Sequence, residues 1–539
     1  MTAAPPAAAA PPSAPASSTV PGFISRLLSL DVVVLAAMLG LAAAARWPNL
    51  WLIPTFTDET LEVRIAYDIV RGAAAPLTSV DPYIGAFWNW VLAGAFWVFG
   101  LSPWLPRLLV FFTGVATVGA AWWLGRELGG RVVAVVAALF MAGCSTHILV
   151  NSHVAWSHAT TPLWTTLGLA FLLRALRGSR GDLRSRSLGL ALIGTGFFIG
   201  LGIQTHITAV LLLPGIGLTI LLQRAGLLRT RWAVFAMLAF AIATANLIVF
   251  NIMTGGGTLT GGQAVLADYT GQDDGPDASA YTENLSRLTL ATSWVLSGAI
   301  EKRRFVGETL LQPLLLGYLG LAVGSVLWAA RRGIWLPLLV SVPYLLALPV
   351  LQGKYEPLLN GRYVMPILPL VFASIGLVVA DSLRWLAARW PARAALTGGV
   401  LLGLAVLVAL YPLAPLARYQ RNARTNHPIL AAYDAVLVGR QADETVLVDY
   451  GLDGVFFMAA GSAFKATELL LGGSRIPYTV IDARPASLED ALHGHESRLL
   501  VLNTEKVRNL SRNFTLSPLM GGERDGPGFG VFRVSARSS

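Results

Sequence analysis

Residues 87–101 read FWNWVLAGAFWVFGL, and whether this stretch crosses a membrane decides the topology of the whole 539-residue chain. At 15 residues it is short of the roughly 20 apolar residues that a helix needs to cross a hydrocarbon layer of ~30 Å. Around it lie longer apolar runs at 31–45, 107–124, 132–150, 160–176, 188–205, 207–222, 232–252, 309–330, 333–351, 363–382 and 395–416. Those eleven predict a polytopic all-α membrane bundle. The composition demands one: 55% of residues are apolar and only 13% charged, whereas soluble chains carry about 25% charge. A disordered chain, a collagen and an ordinary cytosolic enzyme are excluded together.

The basic residues decide the short stretch. Arg126 and Arg131 form one cluster, Arg174, Arg177, Arg180, Arg184 and Arg186 a second, and Arg224, Arg229 and Arg231 a third. Arg331 and Arg332 make the fourth, and Arg384, Arg389 and Arg393 the fifth. Cytoplasmic helix ends collect Lys and Arg. All five clusters, with Arg26, share that side only if 87–101 lies in the interface as an aromatic amphipathic segment. The formal charge of +10 is then topological, and nucleic acid is not among the expected partners. The parity places 46–106, 151–159, 204–206, 253–308, 352–362 and everything after 417 outside.

The ends of the chain differ from its middle. Residues 1–24 open with a Pro/Ala/Ser run that cannot bury a core and reads as a disordered tail. It lacks the basic start of a signal peptide, so the run after Arg26 is expected as a retained first span. The last 123 residues hold 14 Lys+Arg and 13 Asp+Glu, a soluble balance. β-type runs at 445–450, 477–482, 498–503 and 528–534 alternate there with helical runs at 429–438, 461–471 and 487–493, which predicts a small α/β domain over 417–539. Asp449 and Asp453 near the first of these strands fit turn residues as well as ligands. The only cysteine, Cys144, permits neither an internal disulfide nor a Cys-based metal site.

Polar side chains in so apolar a chain require individual explanation, because a charge or imidazole at membrane depth is costly unless it faces a wet cavity. They gather in the outside loops. Thr55-Phe56-Thr57-Asp58-Glu59-Thr60 opens an amphipathic helix to about Arg71. Thr55 and Asp58 fit a capping box, and Asp58 is also placed to accept a proton beside the membrane. His153 and His158, with Trp156 between them, fit an interfacial aromatic belt or hydrogen bonding to a substrate. Zinc ligands on one helix face would be three or four residues apart, as in H-E-x-x-H, and these are five. His206 follows Gln204-Thr205 as a turn residue or a cavity group. Lys354, Glu356, Arg362 and Tyr363 precede a late helix; Arg362 and Tyr363 fit an interfacial anchor, and the Arg fork also matches phosphate oxygens. The glycines of 254–262 lack the P-loop order and read as a mobile outside loop.

Asp58-Glu59-Thr60, the helix ending Ile69-Val70-Arg71-Gly72, the aromatic segment ending Phe99-Gly100, and Pro106-Arg107-Leu108 together resemble the opening of polyprenyl-phosphate-dependent glycosyltransferases of the GT-C class. Within that class the chain is similar to the bacterial relatives of protein O-mannosyltransferases and lipid A aminoarabinose transferases. Arg362-Tyr363 with Pro366 and Pro369 resembles the Arg-Tyr-x-x-Pro-x-x-Pro element of the same group, and the likeness covers most of 30–416. It implies transfer of a sugar from a polyprenyl-phosphate donor to a protein, glycan or lipid acceptor at the extracytoplasmic face of a bacterial-type inner membrane. Asp58 would be the catalytic general base of an inverting displacement, Glu59 its partner, and His153, His158, His206, Lys354, Arg362 and Tyr363 would bind substrate. No cofactor is implied, and a divalent metal is not indicated. His153 to His158 replace an Arg-Pro-Asp type element, and His206 stands where Lys often follows Thr. The departures bear on which sugar is moved. The rival readings are a polytopic transporter, which tends to show two similar halves and broken helices, and a non-catalytic glycolipid-binding protein.

Overall fold

The computed structural model describes residues 30–50, 59–102, 104–178, 183–262, 278–298, 313–351, 360–424, 428–449, 476–520 and 529–537. The N-terminal tail, Asp58, Lys354, Glu356, Asp453 and the helical run expected at 461–471 lie outside the described residues. The chain begins with α1 (Leu30–Arg46), α2 (Glu59–Val70), α3 (Phe87–Phe99), α4 (Leu105–Gly129), α5 (Arg131–Gly143), α6 (Ser145–Leu149) and α7 (Ser157–Gly178). There follow α8 (Arg186–Thr205), α9 (Leu212–Arg224), α10 (Arg231–Ala243), α11 (Ala245–Thr254) and α12 (Ala278–Ser297). The bundle ends with α13 (Pro313–Arg331), α14 (Leu336–Leu351), α15 (Leu368–Arg389), α16 (Ala394–Leu410) and α17 (Leu413–Arg424).

Each of the eleven apolar runs is helical over most of its described residues. By length and hydropathy, six helices among the described residues qualify as membrane spans, or up to seven if α10 and α11, bent by 68° at a break, count as one. α5 and α14 are shorter apolar helices. α7 is long enough, but its Ser, His and Thr residues dilute its apolar character; Thr165 and Thr166 return their hydroxyls to their own helix at Thr161 O and Pro162 O. The segment 87–101 forms the 13-residue α3, about 20 Å long, too short to cross ~30 Å of hydrocarbon.

The helices pack through small residues, as membrane helices do. At Gly125 an added Cβ would lie 2.8 Å from Val133 O and from Ala134 Cα, so α4 and α5 touch backbone to backbone. Gly196 brings α8 equally close to Ala236 of α10, where the Cβ would sit 2.1 Å from the carbonyl oxygen.

Packing also places the basic clusters. Asp31 pairs with Arg126, at 2.7 Å, and with Arg131. Glu127 faces Arg174 and Arg177, at 3.6 and 3.7 Å, and Asp381 faces Arg384 and Arg332, at 2.9 and 3.4 Å. The side chain of Leu377 on α15 lies against Gly129, and Trp232 beside Arg231 lies against Gly189. The described members of all five clusters therefore occupy one end of the bundle. Arg107 lies in the first turn of α4 (Leu105–Gly129), whose last turn carries Arg126, so it marks the opposite end, about 28 Å away at 1.5 Å per residue.

That opposite end carries the C-terminal domain: α18 (Pro428–Gly439), β1 (Val446–Asp449), β2 (Tyr478–Ile481), α19 (Pro485–Leu492), β3 (Ser497–Asn503), α20 (Thr504–Leu510), β4 (Phe514–Met520) and β5 (Phe529–Ala536). The sheet order is β2-β1-β3-β5-β4, parallel across β2, β1 and β3 and antiparallel at β5 and β4. The expected strands form, and β4 is an addition. Pro518 and a mostly exposed face make β4 a weak strand in sequence, and both suit an edge. Leu61 of α2 and Trp104 pack onto the domain core of Ala432, Val436, Val446 and Val531, and Asn49 donates to Gln420 O at 2.5 Å. The Gly-rich stretch is not a loop throughout: 257–262 is helical, and Thr258 donates to Pro82 O at 3.0 Å.

Candidate active site

The segment 150–156 between α6 and α7 is a strap to which the polar groups of this end attach. At its start, Arg46 is fully buried at the C-terminus of α1. The last carbonyls of a helix have no partner within it, and Arg46 supplies one. Its Nη2 donates to Met141 O at 3.2 Å and its Nη1 to Ala142 O at 3.4 Å, at the end of α5. Nη2 also donates to His147 Nδ1 at 2.8 Å and Nε to Ser152 Oγ at 3.1 Å. His153 Nε2 donates back to Arg46 O at 2.5 Å.

Midway along the strap lies the start of α2. Glu59 is clamped by both arms of Arg107: Nη2 donates to Oε2 at 2.6 Å, and Nε donates to Oε1. The Ala155 backbone N–H also bonds the Glu59 carboxylate. Burial pushes this carboxyl above its ordinary range, and the Arg107 charge and hydrogen bonds oppose that shift. One turn on, Glu62 accepts from Ser157 N at 2.7 Å and Ser157 Oγ at 2.8 Å. A carboxylate thus caps α7 at its positive end.

At the far end of the strap, Arg362 stands in the 3-10 turn Asn360–Val364 that leads into α15. Its guanidinium carbon lies 4.3 Å from the ring centre of Trp156 and 4.7 Å from that of Tyr363, both cation–π distances. Nε donates to His158 Nδ1 at 2.9 Å, and Nη2 donates to Tyr363 Oη at 2.9 Å. His158 stacks on His206, with ring centres 3.8 Å apart and planes 16° from parallel. The Tyr363 ring is 5.3 Å from His158 and 5.5 Å from His206. Tyr344 donates to Tyr363 O at 2.6 Å. Burial pushes the His153 imidazole down to about 4, and burial with the Arg362 charge pushes His206 down to about 3. Both imidazoles are therefore neutral at ordinary pH.

The structure thus joins His158, His206, Arg362 and Tyr363 in one buried cluster, and ties His153 and Glu59 to it through the strap. Among the described residues no three His, Cys, Asp or Glu side chains converge as metal ligands.

Three comparisons bear on this arrangement. The sequence model of the dolichyl-phosphate-mannose-protein mannosyltransferases matches residues 85–250. No curated protein matches the chain in sequence. In structure it is similar to ArnT from Cupriavidus metallidurans bound to undecaprenyl phosphate, with 14% identity and a TM-score of 0.54 over 95% of this chain and 98% of ArnT. The fold is that of the GT-C glycosyltransferases. The Archaeoglobus fulgidus oligosaccharyltransferase tethered with an acceptor peptide shares it, with 15% identity and a TM-score of 0.52 over 95% of this chain and 75% of that one.

Sequence reasoning did not find Arg46, His147 or the cap made by Glu62. A cation after an apolar run reads as an interfacial anchor, and only the packing of α1 against α5 shows Arg46 to be buried. Arg107 had a sequence signal in Pro106-Arg107-Leu108, but its ion pair with Glu59 spans 48 positions and leaves no local trace.

Proposed function

We propose that the chain is a membrane glycosyltransferase that moves a sugar from a polyprenyl-phosphate donor to an acceptor, with inversion, at the extracytoplasmic face of the inner membrane. One observation carries the reading. Arg362, sandwiched by Trp156 and Tyr363 and bonded to His158, is tied through 155–158 to Glu59, the residue next to Asp58. A cation and a carboxylate thus belong to one end of the bundle, opposite the Arg clusters that favour the cytoplasm.

In this reading Asp58 takes the acceptor hydroxyl's proton. The freed oxygen attacks the anomeric carbon from the face opposite the lipid phosphate, and the bond from that carbon to the phosphate oxygen breaks. Its electrons remain on the phosphate, where Arg362, assisted by Lys354, stabilises the charge. A phosphate departs already anionic, so a single base and a cationic clamp suffice and the scheme calls for no metal. Glu59, bound to Arg107, fixes the helix start from which Asp58 works. The C-terminal domain, seated on Leu61 and Trp104, stands where an acceptor would approach; protein, glycan and lipid acceptors all fit the chemistry. The test is Asp58→Asn in cells. Mass spectrometry of envelope glycans and glycoproteins should show the product lost while the protein stays folded in the membrane, and an unchanged product would refute the reading.

A further inference from the structure

The hydrogen bonds around the two stacked imidazoles fix which nitrogen of each carries the proton. A guanidinium N–H can only donate, so His158 Nδ1, 2.9 Å from Arg362 Nε, must accept. Likewise the Thr208 backbone N–H donates to His206 Nδ1 at 3.3 Å. Two protonated imidazoles stacked at 3.8 Å beside a guanidinium would repel strongly, so both rings are neutral. Each then holds its proton on Nε2. The His158 Nε2 is buried, in a residue only 3% exposed, and has no hydrogen-bond partner among the described residues. An orphaned buried donor in a polar cluster is a place where a ligand atom belongs.

We infer that His158 Nε2–H reads an oxygen of the donor sugar, and that this position selects a neutral or acidic sugar over one presenting an ammonium group. The inference rests on Arg362 being the phosphate clamp. Nε2 lies on the far side of the imidazole ring from the guanidinium, so the group it meets is displaced from the phosphate toward the sugar. Only an acceptor satisfies a locked N–H donor. A hydroxyl or carboxylate oxygen qualifies, whereas an ammonium meets both a donor that cannot accept and the positive charge of Arg362. His206 acts as a positioning residue: its stacked ring holds the His158 plane.

The test compares His158→Asn with His158→Phe in the full-length protein, reading undecaprenyl phosphate affinity and sugar transfer in cells. Asn keeps an acceptor near the Nδ1 position for Arg362 and lacks the Nε2 donor, whereas Phe keeps the stack and removes both nitrogens. With Asn, undecaprenyl phosphate affinity should stay within about threefold while transfer falls roughly tenfold, the worth of one neutral hydrogen bond. With Phe, both should fall. The wild type should also bind an aminoarabinosyl ester of undecaprenyl phosphate more weakly than the arabinosyl ester that lacks the amine. Normal transfer by the Asn variant, an Asn loss of undecaprenyl phosphate affinity as large as that of Phe, or tighter binding of the aminoarabinosyl ester would each overturn the inference. A wild type that does not bind undecaprenyl phosphate at all would instead remove the proposed function on which it rests.

Discussion

The two ends of the bundle use arginine in opposite ways. At one end Arg126, Arg131, Arg174, Arg177, Arg332 and Arg384 are about half exposed and pair with three carboxylates. At the other, Arg46, Arg107 and Arg362 are buried and held in fixed hydrogen bonds by helix ends, a carboxylate and an imidazole. Exposed pairs contribute little to stability because water and salt screen them, and buried charges are costly unless every partner is in place. The first arrangement is suited to orienting a chain in a membrane, the second to holding a charge at one geometry. The contrast makes the same substitution mean different things at the two ends.

The largest effect is expected on activity. Arg362→Ala should lower sugar transfer by about a hundredfold or more, as loss of a preorganised charge does, while the unfolding midpoint in detergent moves far less than activity. Transfer that survives this change would erase the functional distinction between the ends.

On stability the sharpest contrast is Arg107→Ala against Arg126→Ala. The former strands Glu59 as a buried unpaired charge and should cost about 3–5 kcal/mol. The latter breaks an exposed pair and should cost within about 1 kcal/mol. Thermal or denaturant unfolding of both variants in the same detergent checks this, and equal losses would show that burial does not separate the two ends.

A smaller effect should appear with pH. An unfolded His titrates near its ordinary value of about 6.5, whereas burial holds His153 near 4 and His206 near 3 when folded. Below the unfolded value the unfolded chain binds protons that the folded chain does not, so stability present at neutral pH is lost as pH falls. Between about pH 6.5 and pH 5 each imidazole should account for up to about 2 kcal/mol of that loss. His206→Asn, measured by unfolding across this range, should flatten the slope; an unchanged slope would mean that the ring is not held neutral.

The Arg-rich end was legible in sequence because its signal is local: clusters recurring between apolar runs. The bundle and the shortness of α3 followed from the same arithmetic, and so did four of the five strands. The other end was legible only as a set of residue types in loops. His158 and Arg362 lie 204 positions apart and Arg46 and His147 lie 101 apart, so nothing in either neighbourhood reports the pairing. The imidazole tautomers, and with them the orphaned donor on His158, are products of three-dimensional packing alone. Hydrophobic periodicity carries no information about them.

The central claim is that Arg362 and the strap form the seat of a lipid phosphate at the end remote from the Arg clusters. A cryo-EM structure of the full chain in nanodiscs containing undecaprenyl phosphate tests it directly. The account predicts phosphate density against the Arg362 guanidinium, with the polyprenyl chain leading into the bilayer. A headgroup bound among Arg126, Arg174 and Arg384, with the Arg362 cluster closed around itself, would contradict it.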